Sequence, residues 1–124
     1  MSSPDPLLCA VLRGEVPAWS GGEAFAEAFL AQAAWHGVAP LLHARLVPER
    51  ARTAGWPQAV LDALRNEAIA CAMWEMRHQQ LLTGVLAELD AAGVRPVLFK
   101  GTALAYGLYP DPALRSRGDT DLIV

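Results

Sequence analysis

The sequence predicts an α+β chain of the α/β type, in which a helical N-terminal region over residues 1–92 leads into the start of a mixed sheet over residues 93–124. Three observations carry this. Apolar residues recur at helical spacing from Leu7 to Ala92. Pro and Gly fall at the ends of these runs and not as turn pairs between alternating segments. After Gly93 the character changes, with two short β-rich segments, VRPVLF and DTDLIV. The chain has 124 residues and 53% hydrophobic content, enough for one buried core.

Taken in order, Leu7 to Leu12 forms a short helix stopped near Gly14. Ser20 followed three residues later by Glu23 reads as a capping box, because hydroxyl and carboxylate each satisfy an orphan amide. That helix runs to Trp35 or His36, with Gly37 as a left-handed cap. Pro40 opens a short apolar turn containing Leu41, Leu42 and Leu46, and Pro57 opens the next helix. Leu61, Leu64, Ala68, Cys71, Leu82, Val85, Leu86 and Leu89 continue that helix to Ala92. A break between Trp74 and Gln80 is expected, since a continuous helix would be about 50 Å long at ~1.5 Å per residue. Val94 to Phe99 is a strand with Pro96 at its entry. Thr102 to Leu108 is a helix, Tyr109 to Gly118 a turn-rich loop, and Asp119 to Val124 a second strand.

Composition narrows the function. A formal net charge of -3 gives no general attraction to nucleic acid or anionic membranes, so any nucleotide needs a local site. Cys9 and Cys71 belong to no C-x-x-C pair or zinc-type cluster and read as reduced thiols of a cytoplasmic protein. The N-terminus lacks the basic start and long apolar core of a signal peptide, and no apolar stretch is long enough to span a bilayer. No membrane partner is therefore expected.

Three features carry chemistry. Lys100-Gly101-Thr102 stands between strand and helix, where a glycine allows close backbone approach and the opening amides favour an anion such as a triphosphate. In Asp119-Thr120-Asp121, alternate residues share one face. Both carboxylates can therefore converge on one hard cation while Thr120 faces the other way. Arg115 and Arg117 lie just before the acids and suit either phosphate oxygens or the carboxylates as counter-charges. His36, His43 and His78 form no ligand pair. Trp19, Trp35, Trp56 and Trp74 read as covers of helix junctions, Met73 and Met76 as packing residues, and Glu75 and Arg77 as a solvated face.

The segment VLFKGTALAYGLYPDPALRSRGDTDLIV, Val97 to Val124, resembles the uncharacterised bacterial nucleotidyltransferases of the DNA polymerase beta-like superfamily. Their pattern is an apolar strand, K-G, a small-residue helix, L-Y-P-x-P, R-x-R and D-x-D-L-hydrophobic. The resemblance implies transfer of a nucleoside monophosphate from a nucleoside triphosphate to an acceptor hydroxyl on a small molecule, an RNA or a protein. It implies two magnesium ions, about 3.5–4 Å apart, held by Asp119 and Asp121. Gly101 and Thr102 would contact the nucleotide phosphates, with Lys100, Arg115 and Arg117 alongside. The superfamily uses a third carboxylate on a later strand. Because Val124 comes before such a strand, the expectation is an N-terminal fragment, inert by itself, whose open apolar strand edge invites self-association. Two alternatives are a D-x-D nucleotide-sugar glycosyltransferase, which calls for alternating strands and helices before the acids, and a non-catalytic helical interaction module.

Overall fold

The computed structural model describes residues 3–124. Helices α1 (Asp5–Leu12), α2 (Glu23–Trp35), α3 (Ala39–Arg45), α4 (Pro48–Thr53) and α5 (Gln58–Ala91) precede strand β1 (Val97–Phe99). Helix α6 (Lys100–Leu108), a 3-10 turn (Pro112–Leu114) and strand β2 (Asp121–Ile123) follow. β1 and β2 pair antiparallel, Val97 with Ile123, Leu98 with Leu122 and Phe99 with Asp121. The mostly helical α+β character agrees with the sequence reading. No helix among the described residues is long and apolar enough to cross a membrane.

The core lies at the N-terminal end. Leu8 and Val11 from α1, Phe29 and Ala33 from α2, Leu42 from α3, and Val60 and Leu64 from the first turns of α5 close around Trp56. Trp19 meets Phe29 edge-on at 5.6 Å and Trp56 at 4.9 Å, so these two tryptophans do seal a helix junction. Trp35 does not, being 83% exposed. Beyond Leu64, α5 leaves this core and carries Met73, Met76 and Leu81 exposed, so the methionines are not packing residues.

Several boundaries differ from those expected, each for a local reason. Helix α2 begins at Glu23 with Gly22 as an extended N-cap and no side-chain cap bond. Ser20 lies two residues upstream of that cap, in the irregular stretch before α2, where the Trp19 indole N–H donates to the Gly21 carbonyl at 2.9 Å. A short helix, α4, was not anticipated; Pro48 opens it. Helix α5 is unbroken, since Trp74 to Gln80 contains neither Gly nor Pro and is braced by contacts described below. β1 starts only after Pro96, which has no N–H to give. It ends where α6 begins, so Asp119 and Thr120 have no ladder partner, and β2 starts at Asp121.

Phe29→Ala is expected to lower stability by about 3–5 kcal/mol through the cavity it leaves. Met73→Ala on the exposed stretch of α5 should stay within about 0.5 kcal/mol of the parent. Urea unfolding of the two variants checks this placement of the core.

Candidate functional site

The turn into the site is made by Lys100. Its φ of 58° lies in the left-handed region, unusual for a residue with a side chain, whereas Gly101 takes no positive φ. The corner therefore bends at the lysine and not at the glycine, contrary to the usual role of glycine there. Gly101 lies against the arginines: a Cβ on it would stand at ordinary van der Waals distance, 3.7 Å from Arg115 Nε and 3.9 Å from Arg117 Cδ.

Behind this turn lies a buried polar cluster. Glu75, midway along α5, is 5% exposed and accepts hydrogen bonds from Arg117 Nη2 and the Tyr106 hydroxyl. It is a buried counter-ion and not part of a solvated face, because the loop that follows the 3-10 turn folds back over α5. Arg117 is filled on every side. Nε donates to Thr102 Oγ1 at 3.1 Å, and Nη1 donates to the carbonyls of Pro112 at 2.8 Å and Arg115 at 3.2 Å. Its guanidinium also lies over the rings of Trp74 at 5.3 Å and Tyr106 at 5.5 Å.

Thr102, 1% exposed, links this cluster to the acids. Its hydroxyl donates to the Asp119 carbonyl at 3.2 Å and shares a 2.7 Å hydrogen bond with Thr120 Oγ1. Thr120 in turn bonds His78 Nε2 on α5, and the His78 ring stacks on Trp74 at 4.6 Å. The alternation expected along Asp119-Thr120-Asp121 thus appears in the anchoring of the middle residue. Asp119 is exposed, and among the described residues its carboxylate accepts no hydrogen bond and joins no ion pair. Asp121 is partly exposed with Lys100 Nζ at 4.0 Å from Oδ1.

All seven residues singled out from sequence fall in one neighbourhood, but their side chains are not equally free. Arg117 and the Thr102 hydroxyl face inward, occupied. Arg115 is different: Nη1 reaches the Tyr109 hydroxyl at 3.5 Å, while its buried Nε has no hydrogen-bond partner. It lines an open groove of about 240 Å³ together with Cys71, Trp74 and Arg117. Burial pushes the Cys71 thiol up, opposed by its hydrogen bond to Ser116 and reinforced by the charge of Glu67, which disfavours the thiolate needed for nucleophilic chemistry. Glu75, His78 and Tyr106 were missed by sequence reading. The one available signal was Glu75 and His78 at i, i+3 on the stretch of α5 that faces the arginine loop.

Two carboxylates free of protein hydrogen bonds are hard oxygen donors of the kind magnesium takes, with remaining positions open to water and phosphate oxygens. No set of three His, Cys, Asp or Glu side chains that could hold a metal ion occurs among the described residues.

The uncharacterised nucleotidyltransferase family matches this chain over residues 23–124, and the chain belongs to that family. No curated protein and no solved structure matches it.

Arg117→Ala leaves Glu75 as an uncompensated buried charge and is expected to cost about 3–5 kcal/mol, with Arg117→Lys recovering part of it, as denaturant unfolding can measure. Tyr106 gives a pH signature. Burial first, then the hydrogen bond to Glu75 and its negative charge, push the phenol from 10.0 up to about 12, with Arg117 opposing. The folded-state value lies above the unfolded one, so this stabilisation is full below pH 10.0 and is lost as pH rises towards about 12. Tyr106→Phe should flatten that alkaline limb of stability against pH.

Proposed function

We propose that this site transfers a nucleoside monophosphate from a nucleoside triphosphate to an acceptor hydroxyl, with magnesium bound by Asp119 and Asp121. The observation that carries this reading is the pair of acids flanking an anchored Thr120, Asp119 without an ion pair among the described residues and Asp121 beside Lys100, set next to the turn that opens α6. Lys100, Gly101 and Thr102 present the first main-chain amides of α6 to the triphosphate, where the helix start favours negative charge. Arg115, which lines the open groove and meets the Tyr109 hydroxyl only at 3.5 Å, is the arginine suited to a phosphate oxygen. Arg117 serves from behind, holding the loop against Glu75.

Bound magnesium supplies charge neutralisation of the triphosphate and acidifies the acceptor hydroxyl. The chain's own residues orient and hold. Asp119 and Asp121 set the cation position, Lys100 adds a mobile positive charge near Asp121, and the α6 amides fix the phosphates. The glycosyltransferase alternative expects alternating strands and helices ahead of the acids, and the described residues before β1 are helical.

In the full-length protein, Asp119→Asn and Asp121→Asn should each reduce magnesium-dependent transfer of labelled nucleotide by orders of magnitude, because a neutral amide ligates magnesium poorly. Removing one of two neighbouring like charges should leave the melting temperature without metal unchanged or slightly higher. Magnesium with nucleotide should stabilise the parent alone. A lower melting temperature with normal turnover per folded molecule would assign the acids a structural role and overturn the reading.

A further inference from the structure

The hydrogen bonds around Thr102 and Thr120 form a chain whose direction is fixed by what each partner can do. Arg117 Nε can only donate and the Asp119 carbonyl can only accept. With both bonded to Thr102 Oγ1, at 3.1 and 3.2 Å, the single Thr102 proton goes to Asp119. The remaining lone pair then takes the proton of Thr120, 2.7 Å away. Thr120, having given its proton, must accept from His78, which places the imidazole proton on Nε2. Among the described residues Nδ1 is buried without a hydrogen-bond partner, 3.8 Å from Glu75 Oε1. The direction thus runs from His78 on α5, through Thr120 and Thr102, to the backbone of Asp119.

Every hydrogen-bonding position of the Thr102 hydroxyl is filled by this arrangement, and the residue is 1% exposed. The side chain has nothing left for a phosphate. We infer that His78, Thr102 and Thr120 are positioning residues that hold Asp119 in its bearing on the metal beside Asp121, whose own direction the ladder with Phe99 sets, with the Glu75–Arg117 pair fixing the loop from which that segment emerges. This rests on the metal-binding reading of the two acids. The physical reason for such a device is that Asp119 and Thr120 precede β2 and lie outside the ladder with β1. Backbone pairing therefore cannot set their direction, and side-chain hydrogen bonds to α5 and α6 do so instead.

Thr120→Val keeps the shape of the side chain and removes the hydroxyl, without touching either carboxylate. Electron paramagnetic resonance titration of the full-length protein with Mn²⁺ alone reads metal affinity independently of turnover. Thr120→Val is expected to weaken Mn²⁺ binding about 10–100-fold and to lower kcat more than it raises KM for the triphosphate, while Thr120→Ser behaves as the parent. Parent-like Mn²⁺ binding by Thr120→Val would overturn the inference. Asp119→Asn and Asp121→Asn are titrated alongside. If they abolish Mn²⁺ binding while Thr120→Val does not change it, only the positioning role fails; if they too leave binding unchanged, the metal-binding reading itself fails. Should Thr120→Val not fold, His78→Gln, which retains a donor, is compared with His78→Phe, which does not. Weaker Mn²⁺ binding by His78→Phe alone supports the chain, and equal binding by the two overturns it.

Discussion

The arrangement of the site depends on one buried ion pair, Glu75 with Arg117, whose side chains are 7% and 5% exposed. An isolated charge in such a place is costly, and the pair persists because its lone pairs and protons are matched nearly all round: Tyr106 completes Glu75, while Thr102 and two main-chain carbonyls complete Arg117. The consequence is geometric. Glu75 stands on α5 and Arg117 in the loop before the acids, so the pair fastens the last quarter of the chain to the helical part. A guanidinium fork suits this because it addresses several acceptors in different directions from one plane. A lysine would supply the charge without that reach.

This explains why two arginines so close in sequence have different surroundings. Arg117 is drawn inward by Glu75 and is satisfied on all sides. Arg115 turns towards Tyr109 and the groove, with a donor left over. Gly101 lies against both, at a distance where a Cβ would make ordinary van der Waals contact, and its backbone takes no positive φ. The strained conformation at the corner falls on Lys100, which keeps its ammonium near Asp121. The apolar core, by contrast, sits at the far end of α5, around Phe29 and Trp56, and supports the site through the rigidity of one continuous helix.

The sequence by itself determined the helical first part, the change of character at Gly93, the two strand-forming segments and the grouping of Lys100, Gly101, Thr102, Arg115, Arg117, Asp119 and Asp121. These follow from periodicity, from Pro and Gly as helix boundaries, and from the alternation of residues along extended backbone, all of which are local properties. The family resemblance of Val97 to Val124 was legible for the same reason, since its motif is contiguous. What only the tertiary structure decided is which of these side chains are free. Glu75 looks like one more charge on a helix until the loop carrying Arg117 closes over it, 42 residues away. Thr102 looks like a phosphate contact until Thr120 and Arg117 fill its hydroxyl. Ser20 looks like a helix cap, but the cap position falls on Gly22. In the first two cases the deciding partner is brought close by the packing of another element, and hydrogen-bonding capacity depends on distance in space, which local pattern does not encode.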